Sequence, residues 1–361
     1  MKITKTEIRV VDLPLRKAFR NSLATKDFQK SLLLIISTDE GITGISSIEP
    51  DTPNYSEETW YGIKETVERE FAPILLSEDP MDINGVNARM EEKVYGHLMS
   101  KSLVETALYD LCAKKRETSV YRLIGGTSSR KIPVIGWVGI SDAQQRTAEA
   151  RQFLDDGFGC IKFKISSDVG DTVDFLSAVR RDLGSGFEIR LDANQSLNEK
   201  NAKKLISRID RYEISLLEQP INRDDLEGMA SITHDSTIPI MADESANSLM
   251  AVRNLIWTEA CDIVKVKVMR SGGIDATRRI ISMAKANGIG CVIGNGFSTS
   301  LGTSIEASVY LASDNLEKHA EFVGPLKMKE DYVANPLRIE QGHLIPNEGH
   351  GFGYEHKDLL L

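Results

Sequence analysis

Short apolar runs recur at nearly constant spacing through the last two thirds of this 361-residue chain. Seven runs are visible: Ile132–Ile140, Cys160–Lys164, Glu188–Asp192, Ile214–Glu218, Ile238–Asp243, Cys261–Lys267 and Gly290–Gly294. The last six start 28, 26, 24, 23 and 29 residues apart, and amphipathic helical stretches fill the gaps. Repeated strand–helix units imply parallel strands. Since Lys318–Val323 can supply an eighth strand, the spacing predicts a closed (β/α)8 barrel of the TIM type.

An open, doubly wound parallel sheet is the structural alternative to a barrel. That architecture usually carries a Gly-rich nucleotide-binding turn after a strand. Neither a G-x-G-x-x-G motif nor a Walker A motif follows a strand in this sequence. The motif content therefore favours the barrel.

The first 128 residues have a different pattern of apolar residues. Thr4–Val11 and Ser31–Thr38 resemble strands, and Asp39-Glu40-Gly41 predicts a hairpin turn. From Glu57 to about Lys115 the apolar residues fall at helical spacing, which predicts an α+β unit. The last stretch, Pro336–Leu361, is rich in turn residues and is expected to return to this unit. The predicted division is 1–128 for the α+β unit, 129–325 for the barrel and 326–361 for the C-terminal tail.

Composition excludes several classes of protein. The chain has 44 basic and 53 acidic residues, a net charge of −9, whereas nucleic-acid binding needs a basic footprint. No window of 18 apolar residues predicts a membrane span, and the N-terminus lacks the apolar core of a signal peptide. The four cysteines are far apart with no CxxC pair, so we expect buried free thiols in a reducing cytoplasm rather than a zinc site.

Acidic side chains stand at the ends of three consecutive runs. Asp192, Glu218 and Asp243 are 26 and 25 residues apart, at the C-terminal strand ends where barrel active sites form. Three inward carboxylates repel one another unless a cation lies between them. Oxygen ligation favours Mg2+, with Mn2+ as the alternative. Three surface acids in ion pairs are the bland alternative, but their common phase in the repeat argues against it.

Lysines flank these acids. Lys162 and Lys164 alternate on one strand face, and Lys265 and Lys267 close the sixth run. The second and sixth strands of an eight-stranded barrel are diametrically opposite, so Lys164 and Lys267 should approach a substrate from opposite sides. A solvated pair of lysines is the alternative for Lys162 and Lys164 taken alone. Opposed lysines around a metal suit proton removal from a carbon next to a carboxylate, because the metal stabilises the enediolate while a lysine takes the proton.

These motifs resemble those of the enolase superfamily, in its muconate-lactonizing-enzyme subgroup, which includes dipeptide epimerases. The matching segments are Ala107–Leu111, Ser119–Gly126, Lys162–Lys164, Asp192–Asn194, Glu218–Pro220, Asp243–Ser245, Lys267 and Ser271–Gly273. The resemblance spans almost the whole chain. It implies an α/β barrel with a capping domain formed by the N-terminal part and the C-terminal tail. It also implies roles for six residues: Mg2+ ligands Asp192, Glu218 and Asp243, acid/base lysines Lys164 and Lys267, and Lys162 on the substrate carboxylate or enolate.

The departures from this pattern concern the substrate. Family epimerases acting on Ala-Glu carry an Arg in the N-terminal lid loop, where this chain has Ala24, and an Asp-x-Asp pair where it has Glu321 and Val323. Ala-Glu is therefore disfavoured. Lys265 stands where Asn is common, and Asn295 and Phe297 replace other residues of relatives. The candidate substrate-binding residues are Phe19, Ala24, Trp137, Asn194, Lys265, Asn295, Phe297, Glu321 and Val323.

Trp137 and His319 each have a structural interpretation beside the functional one, and two loops are candidates for a lid over the site. Trp137 could stack on a substrate ring or a quaternary ammonium, or it could belong to the core. His319 is a candidate for the barrel mouth or for an exposed helix end. Ala18–Phe28 and Glu49–Tyr55 are the candidate lid loops.

The leading functional hypothesis is a racemase or epimerase of an N-substituted amino acid, or of a dipeptide of non-acidic character. A lyase of the same superfamily is the runner-up, either a muconate-type cycloisomerase or a dehydratase of a hydroxy acid or hydroxyproline. A non-catalytic metal-binding barrel is the third possibility. The expected partner is a small carboxylate substrate, with no nucleic acid and no membrane, and we expect a homo-oligomer.

Overall fold

The computed structural model describes residues 1–20, 25–50, 56–127 and 131–360. Its N-terminal part contains an antiparallel sheet in the order β1-β2-β3. The strands are β1 (Ile3–Arg20), β2 (Thr25–Thr38) and β3 (Thr43–Ile48). The predicted turn joins β2 to β3, with the Gly41 N–H donating to the Thr38 carbonyl at 3.2 Å. Gly41 has φ +76°, a backbone conformation that glycine adopts without a steric penalty.

The middle strand of this sheet is apolar on both faces because both faces are buried. Leu33 and Ile35 belong to the large core that continues into the barrel. Leu32, Leu34 and Ile36 belong to a second core formed with the helices of the N-terminal part. Burial of one such side chain stabilises the fold by roughly 1.5–3 kcal/mol. β2 therefore attaches the N-terminal helices to the barrel.

The helical region predicted from Glu57 to Lys115 is divided into separate helices. They are α1 (Trp60–Thr66), α2 (Ala72–Ser77), α3 (Ile83–Lys93), α4 (Leu98–Lys115) and, just beyond, α5 (Val120–Leu123). One π-helical turn joins α1 to α2. Breaks occur at Pro80 and at Gly96, which has φ +70°. Nearly all of α4 is buried, because it lies between β3 and the barrel helices.

Seven parallel strands form the second sheet, in the order β11-β10-β9-β8-β7-β6-β5. These strands are β5 (Gly136–Val138), β6 (Cys160–Lys164), β7 (Glu188–Asp192), β8 (Ile214–Glu218), β9 (Ile240–Ala242), β10 (Ile263–Val266) and β11 (Gly290–Ile293). The helices between and after them are α6 (Ala143–Asp155), α7 (Val169–Leu183), α8 (Glu199–Ile209), α9 (Leu226–Asp235), α10 (Leu249–Trp257), α11 (Val268–Ser271), α12 (Ile274–Ala286), α13 (Ser300–Leu311) and α14 (Gly324–Lys327).

The expected eighth segment closes the ring. On one side the Glu321 N–H donates to the Ile293 carbonyl of β11 at 3.0 Å. On the other side the Ile135 N–H, next to β5, donates to the Ala320 carbonyl at 3.1 Å. The segment therefore hydrogen-bonds to both edges of the seven-stranded sheet and covers the strand edges that would otherwise be exposed. The barrel predicted from the repeat is confirmed.

Some strand boundaries differ from those predicted. The run Ile132–Ile140 contains two strands: β4 (Ile132–Pro133) pairs antiparallel with a C-terminal strand, whereas β5 pairs parallel with β6. β9 begins two residues later than predicted, because Pro239 has no N–H to donate to the ladder. β9 and β10 also end early, so Asp243 and Lys267 each lie one residue beyond a strand.

The C-terminal tail packs back on the N-terminal part. β12 (Arg338–Glu340) and β13 (His343–Ile345) form a sheet with β4 in the order β12-β13-β4. Further on, the Phe352 N–H donates to Asp110 of α4 at 2.9 Å. The domain boundaries at 128 and 325 stay predictions. Among the described residues, every helix is too short or too polar to traverse a lipid bilayer.

Candidate active site

The three predicted metal ligands lie together at the C-terminal end of the barrel. Asp192 and Glu218 are paired in the strand register, and Asp243 follows the next strand. Their exposed fractions are 1%, 0% and 2%. Each carboxylate is a hard oxygen donor held in a polar recess of the barrel, which is the donor type that Mg2+ prefers.

Ammonium groups connect the neighbouring acids. The Lys162 Nζ lies 3.1 Å from an Asp192 oxygen and 2.9 Å from a Glu218 oxygen. The Lys265 Nζ lies 3.0 Å from Glu218 and 3.7 Å from Asp243. Since one cationic nitrogen reaches two acids in each case, the three carboxylates converge on one region. The donor set therefore fits a divalent cation, although the three acids do not all have oxygens within 4.8 Å of one another in this conformation.

The electrostatics of these acids differ. Burial, reinforced by the charge of Asp192, raises the pKa of Glu218 to about 8, while Lys162 and Lys265 act in the opposite direction. Burial also acts to raise the pKa of Asp192 and Asp243, but the neighbouring lysines outweigh it and lower both pKa values. Positively charged side chains on several sides therefore stabilise the ionised carboxylates of Asp192 and Asp243.

The two lysines predicted to exchange a proton occupy opposite strands. Lys164 ends β6, the second barrel strand, and its Nζ donates to Asp192 at 2.5 Å and to Asn194 at 2.6 Å. Lys267 follows β10, the sixth strand, and its Nζ donates to Asp243 at 2.6 Å. Both side chains line the same cleft. Burial, with repulsion from neighbouring cations, lowers the pKa of Lys267.

Lys162 is a fixed cation in this arrangement. Although burial acts to lower its pKa, the carboxylates of Glu218, Glu321 and Asp192 raise that pKa well above the ordinary value. A lysine held charged in this way cannot serve as a base, but it can bind an anion. The role of Lys162 on a substrate carboxylate stays a prediction.

The cleft above these groups has an empty volume of about 790 Å³, counted out to its open mouth. Seven of the nine candidate substrate-binding residues line it: Trp137, Asn194, Lys265, Asn295, Phe297, Glu321 and Val323. The other two are not placed. Phe19 pairs through its backbone with Lys26, but its side chain and the whole of Ala24 lie outside the described residues. Residues 21–24 and 51–55 of the candidate lid loops also lie outside.

Glu321, the one acid left in the Asp-x-Asp position, is already engaged by cations. Its carboxylate accepts from Lys162 at 2.6 Å and from Lys265. Although burial opposes the shift, these lysines lower the pKa of Glu321 to about 2. Lys265, which stands where Asn is common, thus serves to hold Glu321 and Glu218.

Three charged residues of the site were missed by the sequence reasoning. Arg270 donates to Asp243 at 3.1 Å and to Glu57 at 2.7 Å, so it links the barrel mouth to the N-terminal part. Lys327 lies at the end of α14, with its Nζ 4.3 Å from the centre of the Trp137 ring. Lys26 lies over Phe297 at 3.6 Å. Charged residues just past a predicted strand end were the available signal for Arg270 and Lys327.

Trp137 is half-buried, packs against the core and lines the cleft, with Lys327 near its ring; its stacking on a substrate stays a prediction. His319 differs from both expectations. His319 is neither at the mouth nor exposed, because it is 4% exposed and lies beside Glu188 at the N-terminal end of the barrel. There, ligand atoms of Cys160, Glu188 and His319 lie within 4.8 Å of one another. All four cysteines are buried and free.

Family models match both parts of the chain. The model for the mandelate racemase / muconate lactonizing enzyme N-terminal domain matches residues 3–125. The enolase C-terminal domain-like model matches residues 145–359. The two matches together cover most of the chain, and they agree with the capping part and the barrel described above.

Curated relatives and solved structures show the same likeness along the full length. The chain is 31% identical to an N-succinyl-L-Arg/Lys racemase of Bacillus cereus, over 98% of this chain and 95% of the relative. It is 29% identical to a chloromuconate cycloisomerase of Cupriavidus pinatubonensis, over 98% and 96%. The crystal structure of a dipeptide epimerase of Enterococcus faecalis, complexed with Mg and L-Leu-L-Tyr, superposes with a TM-score of 0.93 at 27% identity, covering 99% and 100%.

Proposed function

Because this chain belongs to the enolase superfamily, in its muconate-lactonizing-enzyme subgroup, we propose that this isomerase racemises or epimerises an N-acylated amino acid or a dipeptide. The observation that carries the proposal is the placement of Lys164 and Lys267. They lie on the second and sixth strands of the barrel, line one cleft and have the acids in the arc between them. A base on each face allows a proton to leave one side of the α-carbon and return on the other.

Asp192, Glu218 and Asp243 would hold Mg2+ in this proposal. The bound ion would supply charge neutralisation for the substrate carboxylate, which makes the α-proton more acidic. Lys162 adds a fixed positive charge next to the same acids, and its raised pKa keeps it protonated throughout the neutral range. Burial of these groups excludes water, so each charge acts more strongly on the reacting atoms than it would in solution.

Lys164 and Lys267 would move the proton. A lysine must be neutral to accept it, and burial, which lowers the pKa of Lys267, shifts this lysine towards the neutral form. Lys164 donates to Asn194 as well as Asp192, and Asn194 in turn donates to Glu244 at 3.2 Å. This chain of hydrogen bonds orients the Lys164 ammonium. After the transfer, the lysine that faces the other side of the enediolate would deliver a proton there.

A substrate without a free amino group suits this cleft best. The acid that could receive an ammonium, Glu321, is neutralised by Lys162 and Lys265, and Val323 contributes no charge. Further cations along the wall repel a free ammonium. An amide nitrogen avoids both problems. N-acyl amino acids are therefore favoured over dipeptides with a free N-terminus, and Ala-Glu stays disfavoured.

The experiment is α-proton exchange in D2O, followed by proton NMR on the Mg2+-loaded full chain. The panel contains N-succinyl-L-arginine, N-acetyl-L-leucine and L-Leu-L-Tyr, each with and without excess EDTA. We expect deuterium at the α-carbon and accumulation of the second stereoisomer for an N-acyl substrate, with both lost in EDTA. No exchange with any member of the panel, or full exchange in EDTA, contradicts the proposal.

A cycloisomerase is the second candidate, and the cation-rich wall favours it because muconate is a dianion. Conversion of cis,cis-muconate would be seen as loss of its ultraviolet absorbance with no deuterium incorporation into an N-acyl amino acid. A dehydratase would release water and form a new unsaturated acid. A non-catalytic barrel would show Mg2+-dependent stabilisation and no exchange.

A further inference from the structure

Three side chains that can bind a metal meet at the floor of the barrel, the end opposite the cleft. Cys160 is the first residue of β6 and Glu188 is the first residue of β7, and the two are paired in the strand register. The His319 Nδ1, from the eighth segment, lies 3.1 Å from a Glu188 oxygen. Among the described residues, no other group of three His, Cys, Asp or Glu side chains has all its ligand atoms within 4.8 Å of one another.

The two-residue period of a strand explains why these side chains face the inside of the barrel. Cys160 precedes Lys164 by four residues, Glu188 precedes Asp192 by four, and His319 precedes Glu321 by two. Residues at even separations on a strand share a face, and the three later residues line the cleft. The floor cluster of Cys160, Glu188 and His319 therefore lies below the cleft, at about 13 Å along a strand from the mouth.

The spacing of the three ligand atoms is close to that of a tetrahedral zinc site. Bonds of about 2.3 Å to sulfur and about 2.0–2.2 Å to nitrogen and oxygen put neighbouring ligand atoms about 3.3–3.7 Å apart. Shifts on the order of 1 Å, shared among the side chains, would bring the floor cluster to these distances. A thiolate and an imidazole favour Zn2+, whereas Mg2+ prefers the oxygen ligands found at the mouth.

Burial and charge also suit a zinc ion. Cys160 and His319 are buried, whereas the Glu188 side chain is 44% exposed and leaves a route for the ion and for a water ligand. A thiolate and a carboxylate together balance the two charges of the ion, so the occupied site would carry no net charge beside Arg190, which donates to the His319 carbonyl at 3.2 Å. Burial raises the pKa of the Cys160 thiol to about 12, so binding displaces the thiol proton to water.

We propose that Cys160, Glu188 and His319 bind Zn2+ at the floor of the barrel, with water as the fourth ligand. The site is separate from the Mg2+ site at the mouth, and the inference does not depend on the proposed function. It changes the expectation of a free thiol for Cys160. The ion would join the eighth segment to β6 and β7, and it would therefore stabilise the closed ring of strands.

The experiment uses Co2+ as a spectroscopic probe of the thiolate. The full chain is kept in excess Mg2+, which fills the mouth, and in a reductant that contains no thiol, and it is titrated with Co2+. Thiolate bound to Co2+ gives a near-ultraviolet charge-transfer band that oxygen ligands do not give. We expect the band to saturate at one Co2+ per chain, and we expect added Zn2+ to abolish it and to raise Tm. Absence of the band overturns the inference.

Variants assign the band to the floor cluster. Cys160→Ser is expected to abolish it, whereas Cys291→Ser, which changes an equally buried cysteine on β11, is the matched control and should keep it. Glu188→Gln should weaken Zn2+ binding at least about 10-fold, because even the loss of a group that only orients a ligand costs about 10- to 100-fold in affinity. A band that persists in Cys160→Ser overturns the inference. If Cys160→Ser does not fold, unchanged Zn2+ affinity in the half-exposed Glu188→Gln overturns it instead.

The floor and the mouth are tested separately in this design. Glu218→Gln, which changes a proposed ligand at the mouth, should lose the Tm response to Mg2+ and keep the Co2+ band at full intensity. Loss of the band in Glu218→Gln would place the Co2+ at the mouth and contradict the floor site. A band that depends on Cys160, without α-proton exchange on any N-acyl amino acid or dipeptide, would support the floor site and contradict the proposed function.

Discussion

Replacing Lys164 or Lys267 by alanine is expected to separate the two faces of the substrate. Each lysine approaches from one side of the barrel, and each contacts a different acid, Asp192 or Asp243. Lys164→Ala should therefore abolish proton removal from one stereoisomer and leave removal from the other to Lys267. Lys267→Ala should show the reverse selectivity. Both variants should lose net racemisation, because inversion needs both lysines.

The magnitude follows from the part that a single base plays. A positioned base contributes a factor of about 10²–10⁴, which is roughly 3–5 kcal/mol of activation free energy. Enzymatic rate enhancements correspond to about 8–23 kcal/mol, so the remaining acids, Lys162 and the metal would still act on the substrate of each variant. Exchange of the affected stereoisomer should fall by about 10²–10⁴, while that of the other should change much less.

The assay is α-deuterium incorporation from D2O into each pure stereoisomer of the best N-acyl substrate, measured by NMR at saturating Mg2+. Lys329→Ala is the control, because Lys329 is exposed and outside the cleft. In Lys164→Ala, the surviving stereoisomer should gain deuterium with retention of configuration. Equal losses for both stereoisomers in both variants would refute the assignment of one lysine to each face, and unchanged exchange would refute the assignment of these lysines as bases.

Three further predictions concern the metal, pH and packing. Glu218→Gln is expected to abolish both the rise of Tm on adding Mg2+ and α-proton exchange, because Glu218 is a buried ligand of the proposed metal site. The exposed Glu348→Gln should keep both. A full Tm response to Mg2+ in Glu218→Gln would contradict the metal site. Burial raises the pKa of Glu105 to about 8, so the folded state retains a proton that the unfolded state loses near pH 4.5. The free energy of unfolding should therefore fall between pH 5 and pH 8 by about 3–4 kcal/mol more than in Glu105→Gln, which urea unfolding at both pH values checks. Gly44→Ala would place a Cβ 2.5 Å from the Ala107 carbonyl and is expected to lower the free energy of unfolding by roughly 1–3 kcal/mol in the same assay. Gly139→Ala, whose Cβ would have nothing within 4 Å, should lower it clearly less. Equal effects of the two substitutions would contradict this account.

The spacing of the repeat was enough to predict the barrel. The residues at the strand ends were enough to predict that the acids and lysines lie together at one end of it. Parallel strands of a barrel end on the same rim, so residues at equivalent repeat positions must lie near one another. Lys164, Asp192 and Glu218 are the last residues of their strands, and Lys267 follows its strand by one residue. Their chemical roles stay proposals, because position alone does not show what they bind.

Boundaries and pairings were less predictable because they depend on contacts between distant segments. The run Ile132–Ile140 is apolar throughout, and only the return of β13 makes its first part a strand of another sheet. His319 seemed suitable for the mouth by its closeness to Glu321, yet the two residues lie on opposite ends of a short segment that crosses the barrel. No local pattern encodes such differences.

By itself, the amino-acid sequence determined the periodicity of strands and helices, and with it the rim on which acids and lysines meet. Only the tertiary structure decided which charges face one another across that rim. It brought Lys26 and Lys327, 301 positions apart in the chain, to the ring of Phe297, and it engaged Glu321 with two lysines. Periodicity is a local property of the chain. The balance of charge in a buried cleft depends instead on distances between segments that are far apart in the sequence, and only folding sets those distances.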